Sequence, residues 1–206
     1  MSGPSPNMDQ RQALRLSMRR QRRSLSAAQQ RAAAQQINRH LGHHPLFVRA
    51  RHIACYVAAD GEPDISRLAD RASLWGKHIY LPVIQNQRLF FAPYRPGDPL
   101  RRNRYGIPEP CRANTPLLTA RILDLILTPL VAFDCRGNRL GMGGGFYDRA
   151  LSFLRRRRRW NKPRVLGIAH GFQEVVQLDA APWDVPLCGV ATDQGVRIFA
   201  QSCRIA

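Results

Sequence analysis

The residues best suited to chemistry are concentrated in one stretch, positions 134–148, which reads D-C-R-G-N-R-L-G-M-G-G-G-F-Y-D. Gly141, Gly143, Gly144 and Gly145 place no Cβ between the backbone and a ligand and permit left-handed φ. Successive N–H groups in such a turn can converge on phosphate oxygens, helped by the positive end of a following helix. Arg139, just upstream, adds a cation with forked donor geometry. Asp148, at the start of the next predicted helix, is too close to a bound anion for direct contact and suits a magnesium ion bridging to that anion. The spacing is neither G-x-x-x-x-G-K-[ST] nor G-x-G-x-x-G, so the mechanics of those phosphate loops do not transfer. Glycine clusters also serve as plain turns. The strand before, Arg139 and the Asp148 after favour a ligand cradle.

The turn must be held by regular elements. Residues 122–131, ILDLILTPLV, form a continuous apolar run, as expected for a central strand covered on both faces. The glycine turn then falls at a strand's carboxyl end, where open α/β sheets bind ligands. Upstream, helices are predicted over 9–23 and 26–40, the second opened by a capping-box pattern of Ser26 and Gln29. Further strands are predicted at 52–58, 78–84, 88–94, 164–169 and 190–199, and helices at 65–75 and 146–158. Residues 94–116, rich in Pro and Gly, carry no periodic pattern and are expected to run over the surface in an ordered path. Strands alternating with helices predict a single-domain three-layer α/β/α sandwich with a mainly parallel central sheet. That domain is expected over residues 9–200, between a flexible leader at 1–8 and a tail at 201–206.

Composition narrows the partners. With 44% hydrophobic residues in 206, a sizeable core can be buried and wholesale disorder is excluded. The balance of 32 basic against 14 acidic residues gives a formal charge of +18, and all basic residues except Lys77 and Lys162 are arginine. Such a charge favours anionic partners: nucleic acid, membrane surfaces or phosphorylated metabolites. Arg11, Arg15, Arg19 and Arg22 share one helical face, which suits either a solvated face or a phosphate-facing stripe. The five cysteines lack C-x-x-C spacing, so neither a zinc ribbon nor a thioredoxin-type motif is supported; Cys55 and Cys188 read as small buried hydrophobes. No run is long and apolar enough to span a bilayer, and residues 1–8 carry no hydrophobic signal region. Asp124 and Asp134 are expected to cap turns, His170 to act as a structural donor, and Trp75, Trp160 and Trp183 to pack, with Trp183 beside Asp184 alternatively walling the site. Glu109, between two prolines, either fixes a loop or touches substrate.

At residues 138–149 the sequence N-R-L-G-M-G-G-G-F-Y-D-R, preceded by P-L-V-A-F-D at 129–134, closely resembles the signature of the 5-formyltetrahydrofolate cyclo-ligases, also called methenyltetrahydrofolate synthetases. Further blocks resemble the family in its order: R-Q-A-L-R (11–15), Y-V-A-A-D-G-E-P-D (56–64), Y-G-I-P-E-P (105–110), G-I-A-H-G-F-Q (167–173) and W-D-V-P-L (183–187). The resemblance implies an ATP- and Mg2+-dependent ligase that phosphorylates the formyl oxygen of 5-formyltetrahydrofolate. Attack by the neighbouring amine then gives 5,10-methenyltetrahydrofolate, ADP and phosphate.

Position by position, the resemblance implies ATP contacts from Arg11, Gln12, Ala13, Leu14 and Arg15. A second ATP segment is implied at Arg139, Leu140, Gly141, Met142, Gly143, Gly144, Gly145, Phe146 and Tyr147, with Arg139 and Tyr147 at the reacting centre. Folate contacts are implied for Val57, Glu62, Met142, Gly143, Gly144, Gly145 and Phe146, and magnesium ligands at Asp148 and Asp184. The implied setting is a cytoplasmic monomer with small-molecule partners, no membrane and no dedicated nucleic-acid partner. Two departures stand out: Met142 and Gly144 occupy places where some members carry Lys or Arg, and the run at 155–159 has no matching role. The alternatives are an ATP-binding paralogue acting on another substrate and an arginine-rich nucleic-acid-binding protein.

Overall fold

A computed structural model describes residues 6–111, 115–156 and 162–199. Helix α1 (Pro6–Ser24) is followed by α2 (Ala27–Gly42) and the short α3 (Pro45–Arg49). Strand β1 (His52–Ala54), helix α4 (Ser66–Leu74), and strands β2 (His78–Gln85) and β3 (Arg88–Tyr94) come next. Strands β4 (Leu100–Arg102) and β5 (Pro108–Pro110) form a separate ribbon. Then come β6 (Leu125–Pro129), the small hairpin β7 (Ala132–Phe133) and β8 (Arg139–Leu140), helix α5 (Phe146–Leu151), and strands β9 (Arg164–Ile168), β10 (Gly189–Thr192) and β11 (Gly195–Ile198).

Seven strands form the main sheet in the order β11-β10-β9-β6-β1-β2-β3. The five inner strands run parallel, and β3 and β11 are antiparallel edges. The apolar run on β6 explains its central place: Leu125 and Leu127 join a core with Ile37, Leu41, Phe47 and Leu68 of α2, α3 and α4. Ile126 joins the opposite core with Phe91, Val165 and Leu151 of α5. Both faces are covered, which gives the expected three layers.

The sheet has one switch point that matters for function. From β1 the chain crosses through α4 to β2 on one side; from β6 it crosses through α5 to β9 on the other. The two helices pack into opposite cores. The carboxyl ends of β1 and β6 therefore diverge and leave a crevice between their outgoing loops. The loop after β1 carries residues 60–62, and the loop after β6 carries the glycine turn.

The elements differ from expectation in identifiable places. The strand expected at 52–58 ends at Ala54, where the chain leaves the sheet for the 60–62 turn; Asp60 and Gly61 both have positive φ, 53° and 75°. The strand expected at 190–199 is a hairpin folded at Gly195, with the Thr192 hydroxyl accepting from the Gln194 N–H. The helix expected over 146–158 stops at Leu151 and tightens into a 3-10 turn, Ser152–Arg156. The Ser152 hydroxyl bonds back to the Arg149 carbonyl, a local bond that competes with the helical ladder. Helix α1 starts at Pro6, inside the expected leader; residues 1–5, the tail at 201–206, Arg157–Arg159 and Trp160 lie outside the described residues. The capping box at Ser26 is present, with the Gln29 side chain accepting from the Ser26 N–H at 2.8 Å.

Asp134 does act as a turn cap. Fully buried, it accepts from the Arg136 and Asn138 N–H groups, the Asn138 side-chain amide and the Leu178 N–H, all within 3.0 Å. It thereby fixes the turn between β7 and β8. Removing it strands four donors, so Asp134→Ala is expected to lower the unfolding free energy by about 3 kcal/mol in urea titrations. A loss below about 1 kcal/mol would show that water replaces the carboxylate without cost.

Candidate active site

Helix α1 lies across the crevice and delivers its arginine stripe to two places. At its amino-terminal half, Arg15 Nε donates to the Gly141 carbonyl at 2.9 Å, and its guanidinium lies over Gly143. Gly143 has φ +101°, which only glycine adopts without strain. Arg11 donates to the Asp179 carbonyl at 3.2 Å and to Asp184 Oδ2 at 3.3 Å. At its carboxyl-terminal half, Arg19, Arg22 and Arg23 all bond to the carboxylate of Asp60. Arg22, only 1% exposed, also reaches the Asp60 and Leu130 carbonyls.

Under the glycine turn, Arg139 is buried and its terminal nitrogen donates to Asp148 Oδ1 at 2.6 Å. The same Asp148 oxygen accepts from the Val185 N–H at 3.2 Å, which ties the loop carrying Asp184 to the turn. Asp184 Oδ2 also accepts from the Ala181 N–H. The Arg139 Nε–H is buried without a hydrogen-bond partner among the described residues. Tyr147 lies beside it, with the Arg139 guanidinium carbon 5.8 Å from the ring centroid. Burial holds the Tyr147 phenol above its ordinary range, so it stays a neutral donor.

On the other side of the crevice, Glu62 Oε2 accepts from the Ala59 N–H at 3.1 Å, and Oε1 lies 3.8 Å from Arg22. Glu62 and Tyr147 interact electrostatically across the crevice. His170 packs behind the acidic turn, its Nε2 3.0 Å from the Gly61 carbonyl, in the structural role expected of it.

The 5-formyltetrahydrofolate cyclo-ligase family pattern matches residues 7–193. The chain is 42% identical over 188 residues to the 5-formyltetrahydrofolate cyclo-ligase of Haemophilus influenzae, covering 88% of this chain and 96% of that one. It is 39% identical to the Escherichia coli K12 enzyme of the same name, over 87% and 98% of the two chains. The NMR structure of Aquifex aeolicus 5,10-methenyltetrahydrofolate synthetase superposes with a TM-score of 0.77 at 28% identity, covering 92% and 93%. The chain belongs to the 5-formyltetrahydrofolate cyclo-ligase family.

Set beside the family positions, the structure gathers Arg11, Arg15, Gly141, Gly143, Arg139, Tyr147, Asp148 and Asp184 around one turn. Leu140 is buried, and Leu14 packs against it on the core side of the turn. Gln12 and Ala13 are on the exposed side of α1, and Met142 is 53% exposed. Phe146 fills the space above Gly144: a Cβ there would meet its ring at 2.7 Å. Val57 is half-buried against the core at the start of the acidic loop. Trp75 packs as expected, half-exposed against the buried Phe47 and under the Arg71 guanidinium, whereas Trp183 is largely exposed. Helix α5 has only six residues, so its positive end contributes less than a long helix would and the arginines supply most of the turn's charge. The residue most under-read is Arg22, whose place in the stripe gave no sign that it would be buried.

Two carboxylates suit a magnesium ion here. Among the described residues no group of three or more His, Cys, Asp or Glu side chains gathers. Asp148 engages its neighbours through Oδ1 and Asp184 through Oδ2, which leaves the second oxygen of each for another ligand. Two carboxylates completed by nucleotide phosphates and water are an ordinary magnesium arrangement.

Burial pushes the Glu62 carboxyl up to about 7 from 4.5, against the pull of Arg22. Between those values the folded state holds the proton and the unfolded state releases it, so this group lowers stability as pH rises from 4.5 to 7. Glu62→Gln removes the titration. Its stability relative to the parent should climb across that window by about 3 kcal/mol and level off above it, measured by denaturant unfolding from pH 4 to 9. A pH-independent difference would place the Glu62 carboxyl in water.

Proposed function

We propose that the chain closes 5-formyltetrahydrofolate to 5,10-methenyltetrahydrofolate, using MgATP and releasing ADP and phosphate, as a cytoplasmic monomer acting on small molecules. The observation that carries this is the buried Arg139 Nε–H without an acceptor among the described residues, beneath a glycine turn crossed by Arg15 and flanked by Asp148. An unmatched donor at such a place is costly unless an anionic oxygen meets it in the loaded enzyme. Family membership supports the same reaction, and Glu62, on the loop after β1, offers a carboxylate to the N–H groups of a pterin.

In this reaction the formyl oxygen attacks the γ-phosphorus and the bond to the ADP oxygen breaks. The N10 amine then attacks the activated formyl carbon; phosphate departs with the former formyl oxygen, and the amine proton is lost. The residues have no need to form a covalent bond. Arg15 and Arg139 hold the γ-phosphoryl oxygens and neutralise the migrating charge, while the turn's N–H groups fix their direction. Tyr147, a neutral phenol, donates without competing as an anion. Glu62 orients the pterin so that the formyl oxygen faces the phosphate across the crevice. Asp148 and Asp184 would hold magnesium, which supplies charge at the phosphates when bound.

Purified protein given MgATP and 5-formyltetrahydrofolate should produce methenyltetrahydrofolate absorbance in equal step with ADP. Arg139→Met should lower kcat/KM by about 10²–10³. Glu62→Ala should act mainly through the folate KM, and Asp148→Asn mainly through MgATP-dependent kcat. Nucleotide binding without any methenyl product would favour a paralogue with another substrate.

A further inference from the structure

The chain leaves the main sheet after Pro129 and enters the β7–β8 hairpin at Ala132, so Leu130 and Val131 lie outside any ladder. Both are buried, and their carbonyls need donors from elsewhere. One side chain supplies them. Gln173, 1% exposed, donates from Nε2 to the Leu130 carbonyl at 2.9 Å and to the Val131 carbonyl at 2.8 Å. Its Oε1 accepts from the His170 N–H at 2.8 Å, so both ends of the amide are committed and its orientation is fixed. The contact continues along the hairpin, where the Val175 N–H donates to the Phe133 carbonyl at 2.8 Å. Phe133 pairs with Arg139, so this segment bears on the strand that presents Arg139 to Asp148.

His170, also buried, reaches the other loop. Its Nε2 lies 3.0 Å from the Gly61 carbonyl, and since a carbonyl only accepts, Nε2 carries the hydrogen. Burial holds the imidazole below its ordinary range, so the ring stays neutral, and it stacks on Phe172 with centroids 5.4 Å apart. The Gly61 carbonyl belongs to the planar peptide that joins Gly61 to Glu62. Holding that oxygen therefore fixes the plane from which the Glu62 side chain departs. The 3-10 turn Gly171–Gln173 that carries these contacts is itself anchored: the Gly171 N–H donates to Asp193 Oδ1 at 2.7 Å, in the turn between β10 and β11.

Two side chains just past the carboxyl end of β9 thus hold both loops of the crevice to each other. We propose that His170 and Gln173 are positioning residues that set how Glu62 and Arg139 face one another across the crevice. The inference rests on the cyclo-ligase reaction proposed above, in which an oxygen must meet phosphorus in line. Arg22 acts on the same two loops from α1, through Asp60 and Leu130. His170 and Gln173 act from β9 and share only the Leu130 carbonyl with it. Both are buried against protein groups, so removing their donors should disturb the aim of the loops and leave each binding face in place. A displacement of about 1 Å between reacting groups is enough to cost about 10²-fold in rate.

The test compares kcat per MgATP-binding site, with sites counted by calorimetric stoichiometry, in the native protein and three variants. His170→Phe keeps a ring to stack on Phe172 but cannot donate, whereas His170→Gln places an amide N–H near the Nε2 position. Gln173→Leu keeps the bulk and removes both donors. His170→Phe and Gln173→Leu should each lose about 10- to 100-fold in kcat per site, while the MgATP dissociation constant moves less than about threefold. His170→Gln should return to within about threefold of the native kcat. Should Gln173→Leu fail to fold by circular dichroism, the two His170 variants carry the comparison. A kcat per site within about twofold of native in the variants that lose a donor would overturn the positioning role. So would a loss confined to MgATP affinity, or equal losses in His170→Phe and His170→Gln. No turnover by the native protein would overturn the reaction itself.

Discussion

The ion pair between Arg139 and Asp148 sets what the crevice can hold. It joins the last residues of the β7–β8 hairpin to the first turn of α5, so the glycines between them are held at both ends. A buried guanidinium is tolerated only where its donors are met, and this pair meets one edge and leaves the buried Nε–H without a partner among the described residues. Through the Val185 N–H the same carboxylate oxygen holds the loop that carries Asp184. Much of the site's geometry therefore depends on one acid and one base placed nine residues apart.

Helix α1 closes the arrangement from above. A single stripe of arginines divides its work along the helix, with Arg11 and Arg15 at Asp184 and the glycine turn and Arg19, Arg22 and Arg23 clamped to Asp60. Arg22 touches both outgoing loops, through Asp60 after β1 and Leu130 after β6. Such a clamp fixes the distance between the loop after β1 and the loop after β6, which is the quantity the proposed in-line transfer would depend on. Asp60 accepts it in a positive-φ conformation held by three guanidinium contacts.

Much of this was legible in the sequence. The apolar run of β6 announced a strand covered on both faces, and the glycine turn with Arg139 and Asp148 marked the place where the structure brings Arg15 and an ion pair together, because those signals are local. Ser26 with Gln29 marked a helix start for the same reason. What stayed hidden depends on distant partners. The burial of Arg22 follows from Asp60 and Leu130, 38 and 108 residues away. The hairpin at Gly195 and the early end of α5 reflect turn and side-chain bonding that apolar periodicity does not register. The ribbon within residues 94–116 has strands of three residues, too short for any period to show.

Calorimetric titration of MgATP into the native protein and into Arg139→Lys tests the central claim most directly. A lysine carries the charge but cannot reach Asp148 and a phosphate oxygen with one planar fork. The native protein should bind MgATP with measurable heat, and Arg139→Lys, checked by circular dichroism to be folded, should bind it at least about tenfold more weakly. Equal affinities, or no binding by the native protein, would contradict the assignment of the turn as a phosphate cradle.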